Sequence, residues 1–268
     1  MEQISKGDGE STVFSAYSSS VINLNNNWDT SLGVTAQYFT LNNNLSIEPR
    51  VALKWKINPK HSLALAYGLH SRREKLDYYF VEKVVNGKNQ SNRYLDFSRA
   101  HHVGMTYDWN INQNLHLKIE PYFQYLFRIP VEKNSSFSVI NHEEFYLDRI
   151  LTNTRQGRNY GIDITLEQYM KNGFYYMITG SLFKSKYRGG DNVWRNTRLD
   201  KNYLLNLLAG KEWMVGKLKQ NVLSLNGRLF FQGGERYTPV NEERSQTEHD
   251  IFFDETKAYS KRFNPSLP

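Results

Sequence analysis

Cysteine is absent from the 268 residues, which excludes disulfide scaffolds, thiol catalysis and cysteine-based zinc sites. No apolar run approaches the roughly 20 residues that a spanning helix requires, and the mean hydropathy is -0.65. The usual chemical signatures are missing as well. The chain carries no GxGxxG, P-loop, HExxH or GxSxG pattern. No helical period competes anywhere along it. Residues 1–10, MEQISKGDGE, hold neither an apolar core nor a small-residue cleavage site, so no signal peptide is expected there.

Aromatic residues are abundant: 18 Tyr, 15 Phe and 5 Trp, far more than a solvated disordered chain carries. The formal charge of +7 suits nucleic acid and an anionic membrane surface equally. Its dispersal along the chain, with the aromatics on apolar faces, argues against a nucleic-acid partner.

Strict two-residue alternation dominates the pattern. Over 47–57 the odd positions are Ile47, Pro49, Val51, Leu53, Trp55 and Ile57, against Glu48, Arg50, Ala52, Lys54 and Lys56. Over 115–129 the odd positions are Leu115, Leu117, Ile119, Pro121, Phe123, Tyr125, Phe127 and Ile129, opposite a mostly polar set. A period of two predicts strands with one apolar and one wet or packed face. Ten are expected, over 11–24, 30–40, 46–57, 62–71, 98–111, 115–129, 160–170, 174–187, 202–214 and 221–232. Several exceed ten residues. Tilted near 45°, about ten residues span roughly 25 Å, the height of a lipid-facing apolar band.

Connection lengths alternate too. Asn25–Asp29, Asn58–Lys60, Asn112–Asn114, Lys171–Gly173 and Val215–Gln220 are short and rich in turn residues. Between them fall 72–97, 130–159, 188–201 and 233 onward, with 41–45 as a short member of the long set. Turns at one rim and loops at the other is an outer-membrane barrel layout, so the expected fold is all-β, an antiparallel up-and-down transmembrane barrel segment. Trp28, Trp55, Trp109 and Trp213 all sit at or near short turns, which predicts an aromatic girdle. The competing reading is that tryptophan simply caps sheet ends. Pro49 and Pro121 weigh against central positions or mark bulges, because neither can donate to a ladder.

Other polar residues carry less. His101 and His102 face opposite sides of a strand and cannot share one ion. His142-Glu143-Glu144 and Glu248-His249-Asp250 read as solvated loop charges. Lys118, Glu120, Arg128, Asp163 and Glu167 read as lining a watery interior. Gly189-Gly190 and Gly233-Gly234 mark strand-to-loop transitions, attributed to backbone freedom. No catalytic, cofactor or metal residue is assigned. A basic, aromatic set, Trp194, Arg195, Arg198, Arg236 and Tyr237, is the candidate outer-mouth contact, with lipid contact or plain packing as its alternative.

The run RNYGIDITLEQYMKNGFYYMITGSLFKSKYRG at 158–189 resembles the barrel of TonB-dependent outer-membrane receptors. WRNTRLDKNYLLNLLAGKEW at 194–213, then NGRLFFQGGERYTPV at 226–240, is similar to the Bacteroidetes type. SIEPRVALKWKI at 46–57 and LALAYGLHSR at 63–72 are similar to earlier strands of the same barrel. The resemblance covers essentially the whole chain. It implies about ten strands from the later half of a 22-stranded barrel, with the plug and the final strands absent from 1–268. Met1 would then be internal, and 265–268 the lead-in to a further strand.

The resemblance further implies a bacterial outer-membrane location and a transport role without enzymatic activity. Siderophores, cobalamin, glycans or peptides would be the cargo. The implied partners are the TonB complex through the plug, outer-membrane lipid and lipopolysaccharide, and a surface lipoprotein. Two alternatives stay open at this point: a soluble all-β carbohydrate-binding module and a simple channel.

Overall fold

The computed structural model describes residues 10–85, 87–144 and 146–265. The expectations attached to residues 1–9 and 266–268 lie outside the described residues.

The chain runs β1 (Val13–Asn25), β2 (Trp28–Phe39), β3 (Asn44–Asn58), β4 (His61–Arg72), α1 (Leu76–Tyr79), β5 (Glu82–Val85) and β6 (Lys88–Ser91). It continues through β7 (Ser98–Asn110), β8 (Leu115–Glu132), a 3-10 turn (Val139–Asn141), β9 (Leu151–Lys171), β10 (Phe174–Arg188), β11 (Trp194–Asn196), β12 (Tyr203–Val215) and β13 (Asn221–Gln232). The final elements are β14 (Arg236–Tyr237), α2 (Glu242–Glu248), a 3-10 turn (Glu255–Lys257) and β15 (Lys261–Arg262).

Ten strands form one antiparallel meander in the order β1-β2-β3-β4-β7-β8-β9-β10-β12-β13, with β11 paired to the end of β10. The register fixes two faces. Trp28 lies opposite Trp55, Leu53 opposite Leu65, Leu65 opposite Met105, and Ile119 opposite Ile164. From β2 to β10 most apolar residues therefore share one face, and it is exposed: Leu65 and Leu182 keep 57% and 62% of their surface. The other face is polar. Lys118 Nζ meets Glu120 Oε1 at 2.8 Å, and Asn159 Nδ2 donates to Gln124 Oε1 at 3.0 Å.

Asparagine builds three of the turns in the same way. The side-chain oxygens of Asn25, Asn58 and Asn112 each accept from the backbone N–H groups two and three residues on, at 2.9–3.1 Å. Asn172 and Gly173 both take positive φ, 52° and 74°, as a two-residue primed hairpin turn demands.

Pro49 and Pro121 lie in interior strands, β3 and β8. The β7–β8 ladder lapses between Gly104–Tyr122 and Tyr107–Ile119 without changing register, around the missing donor of Pro121. The β3–β4 pairing stops at Arg50–Gly68, next to Pro49. The outcome is a gap in the ladder and no shift in register.

Among the described residues, a buried core exists only at the loop end. Phe39, Tyr78, Tyr79, Val81, Leu95, Phe97, Val139, Leu147 and Leu151 form one cluster, drawn largely from 73–97 and 133–150. Asn92 ties these segments together, accepting from the Leu151 N–H at 2.8 Å and donating to the Arg149 carbonyl at 2.9 Å. Burial pushes the hydroxyls of Tyr78 and Tyr79 up to about 12, so both stay neutral inside the cluster, where Tyr79 Oη accepts from the Glu74 N–H at 3.4 Å.

Candidate functional site: the outer mouth

The loop end carries a cavity of about 590 Å³ between segments 136–149, 198 and 235–263. Arg198, Arg236 and Tyr237 line it, so three of the five candidate residues share one site. Phe137, Asn141, His142 and Phe263 complete its walls.

Its cations are fastened by acids. Arg198 binds both Glu143 and Glu235 and donates its backbone N–H to Asn141 Oδ1 at 2.9 Å. Lys201 Nζ lies 3.1 Å from Glu235 Oε1. Arg236 Nε donates to Asp200 Oδ2 at 2.8 Å, and Arg262 reaches the same oxygen at 3.3 Å. Asp200 is wholly buried and also accepts from the Ser185 N–H at 3.0 Å. A buried carboxylate needs such partners, because unpaired it would cost several kcal/mol.

Aromatic faces alternate with these charges. Tyr237 stacks on Phe263 with ring centroids 4.4 Å apart, and Arg149 lies over Phe137 at 4.6 Å. His142 meets Phe137 and Tyr78 edge-on, each at 5.5 Å, which joins the cavity to the core beneath it. Burial raises the Tyr259 hydroxyl above its ordinary value. Three buried polar atoms around the cavity have no protein partner: Asn141 Nδ2, His142 Nε2 and Arg198 Nε. An unmatched buried polar group costs about 1–3 kcal/mol, so the cluster favours an acceptor-bearing occupant, water included.

Trp194 and Arg195 do not line this cavity. Trp194 lies under the Arg158 guanidinium at 4.8 Å, beside the exposed apolar face. Arg195 is buried and bidentate to Asp191, at 2.8 and 2.6 Å, so its side chain braces the 189–196 loop. Of 142–144, read as solvated loop charge, Glu143 and Glu144 are exposed as expected and His142 is not. His142 is packed between aromatics, and Glu143 holds Arg198. Nothing local in the sequence announces Phe137, Asn141 or Phe263, because loops distant in sequence bring them together.

The four candidate girdle residues all stand at the turn end and on the exposed face. Trp28 and Trp55 stack at 5.4 Å, and Trp109 stacks on His61 at 5.6 Å. Trp213 lies opposite Leu223 and keeps 41% of its surface. A second aromatic group occupies the loop end of the same face. There His101 accepts or donates to Tyr67 Oη at 2.9 Å and stacks on Phe127 at 4.9 Å.

Among the residues read as lining a watery interior, Lys118, Glu120, Asp163 and Glu167 lie on the polar face. Arg128 departs from it. It occupies a bulge with φ 54° and pairs with Asp96 of the 73–97 segment at 3.3 Å. Glu248, His249 and Asp250 are exposed at the end of α2.

No family profile matches the sequence, and no curated protein matches it. In solved structures the architecture recurs. The chain is similar to the ferric-catecholate import receptor Fiu of E. coli K12, with a TM-score of 0.64 and 8% identity over 85% of this chain and 35% of that one. It is similar to the ferripyoverdine receptor of the outer membrane of Pseudomonas aeruginosa, with a TM-score of 0.62 and 13% identity over 87% and 30%. For the ferric yersiniabactin uptake receptor FyuA of Yersinia pestis the TM-score is 0.57, with 9% identity over 84% and 35%. The chain thus spans about a third of the length of these receptors. The fold is that of part of a TonB-dependent receptor β-barrel.

Proposed function

We propose that this chain forms part of the wall and outer mouth of an outer-membrane transport receptor of the TonB-dependent, Bacteroidetes-like type. Its cargo would be a scarce ligand too large for a porin, of siderophore, cobalamin or glycan class. The plug and closing strands, and contact with the TonB complex, would belong to other parts of the protein. Lipid and lipopolysaccharide would meet the outer wall, and a surface lipoprotein could cap the mouth.

One observation carries the reading. Every connection at one end of the ten-strand meander is a short turn, while the loops at the other end build a packed layer around a cavity. The tryptophans then fall into place as the interfacial belt at the turn side. From Trp109 up β7 to Arg99 is ten residues, or roughly 33 Å along the strand, and about 23 Å of height at a 45° tilt. That height matches a lipid-facing band. Arg198, Arg236, Tyr237 and the unmatched donors beside them would contact an oxygen-rich ligand with a planar or apolar face. Trp194 with Arg158 would sit at the outer lipid interface.

Epitope insertion in the full-length protein tests the topology. A tag in the β5–β6 turn at Gly87 should be labelled on intact cells. The same tag at Lys217–Lys219 should be labelled only after the outer membrane is permeabilised. Recovery in the soluble fraction, or equal labelling of both sites on intact cells, would refute the proposal.

A further inference from the structure

Two of the strand histidines have no hydrogen-bond partner among the described residues: His70 and His102. The other three are satisfied, His61 by Tyr107, His101 by Tyr67, and His116 by Asp108. His70 and His102 belong to neighbouring strands, β4 and β7, and both lie on the polar face. His102 is directly opposite Gly68, and His70 is two residues further along β4. Their rings approach to 4.4 Å between centroids, tilted by 42°.

We propose that His70 and His102 form a two-imidazole site for a divalent late first-row metal ion inside the barrel, with Cu(II) held most tightly.

Three features support a prepared site. First, the ring of His70 lies down over Gly68. A Cβ at position 68 would come within 2.7 Å of His70 Nε2, so the imidazole keeps its present place beside His102 because position 68 is glycine. Second, the neighbouring position on β7 is cleared as well, since a Cβ at Gly104 would meet nothing within 4 Å. Third, the spacing suits a shared ion. With a metal–nitrogen bond of about 2.0–2.1 Å, and the ring centre about 1.1 Å behind the nitrogen, two imidazoles at right angles on one ion have centroids roughly 4.5 Å apart.

The ligand chemistry then selects the metal. Two imidazoles with no thiolate suit copper, nickel or zinc, and the Irving–Williams order places Cu(II) first. No group of three or more His, Asp or Glu side chains that could hold a metal gathers among the described residues, so water would complete the coordination. On β3 the site faces Arg50, which lies opposite Gly68 and pairs with Glu48 at 3.4 Å. From the β8 side the site faces the neutral Tyr122 and Gln124. The sequence alone directs attention to the adjacent pair His101-His102, whose side chains diverge. The ion needs the pair from neighbouring strands.

The test is Cu(II) titration of the full-length protein in detergent, read by calorimetry and by nitrogen superhyperfine splitting in its electron paramagnetic resonance spectrum. The expected result is one tight site with two coordinated nitrogens that are lost in the H70Q/H102Q double variant. H70Q and H102Q should each weaken binding at least tenfold and leave one nitrogen. H101Q should bind like the parent. G68A keeps both histidines but displaces the His70 ring, and should weaken binding by a similar factor. Equal affinity and equal spectra for the parent and the double variant would overturn the proposal. The transport role is not needed for any of these readouts, so the two can fail separately.

Discussion

Asp191 and Arg195 show how single side chains hold the outer end in shape. The guanidinium of Arg195 donates twice to the Asp191 carboxylate and, with the Val193 N–H, keeps that carboxyl below its ordinary value of 3.8. A carboxyl depressed in the folded state stabilises the loop above its unfolded pKa, and that contribution disappears as pH falls through the folded one. Arg195 stays charged throughout, its own value raised by the same bond. Hydrogen-exchange protection of 189–196 should therefore be flat from neutral pH down to about 4 and fall below it. In D191N the protection should start lower and lose its pH dependence. Persistence of full protection at pH 2 in the parent would contradict this origin. Glycine illustrates the limit of reading residues singly. Gly190 and Gly233 are required by close approach, since a Cβ at either would fall against the carbonyl of Glu132 or Lys201, respectively. Among the described glycines, φ is positive at Gly87, Gly173 and Gly216 instead. The backbone freedom expected of the two Gly-Gly pairs is thus not what those positions use.

At the scale of the element, alternation located all ten meander strands, most within about two residues of their observed ends. The largest difference is β9, which begins at Leu151 and not at 160. Residues 151–159, LTNTRQGRN, have no apolar period because this part of the β8–β9 hairpin stands in the loop layer, beyond the stretch where one face is apolar and the other polar. The same reason hides α1, β5 and β6, whose packing rests on Tyr78, Tyr79 and Val81 meeting residues of other loops. Periodicity is legible only where the environment is two-sided. That two-sidedness can be tested within β4. Leu65 lies on the outer face between Leu53 and Met105, and Ala66 on the inner face between Ala52 and Gly104. Leu65→Arg should cost about 2–4 kcal/mol of stability for the full-length protein in phospholipid vesicles, whereas Ala66→Arg should cost well under half of that. Denaturant titration of the two variants reads the difference. Equal costs would mean that the exposed face does not meet hydrocarbon.

At the scale of the whole molecule, the described strands leave two edges open. β1 pairs only with β2 and is exposed along its full length, and β13 pairs only with β12 within the meander. An open sheet edge is a template for pairing with other chains. The outer face adds exposed apolar side chains, with Leu65, Leu182 and Leu229 each more than half exposed, a surface that a soluble monomer rarely presents. The buried core offers little to offset these, because it is confined to the loop layer at one end. Residues 10–265 produced alone should therefore aggregate in aqueous buffer and stay dispersed only in detergent. They should support no ligand uptake, since the chain spans about a third of the receptors it resembles in fold. Sedimentation with and without detergent distinguishes the outcomes. A monodisperse monomer that melts cooperatively in plain buffer would show that the sheet closes or covers its edges by itself. The exposed leucines and tryptophans would then have to be explained as a binding surface instead of a membrane wall.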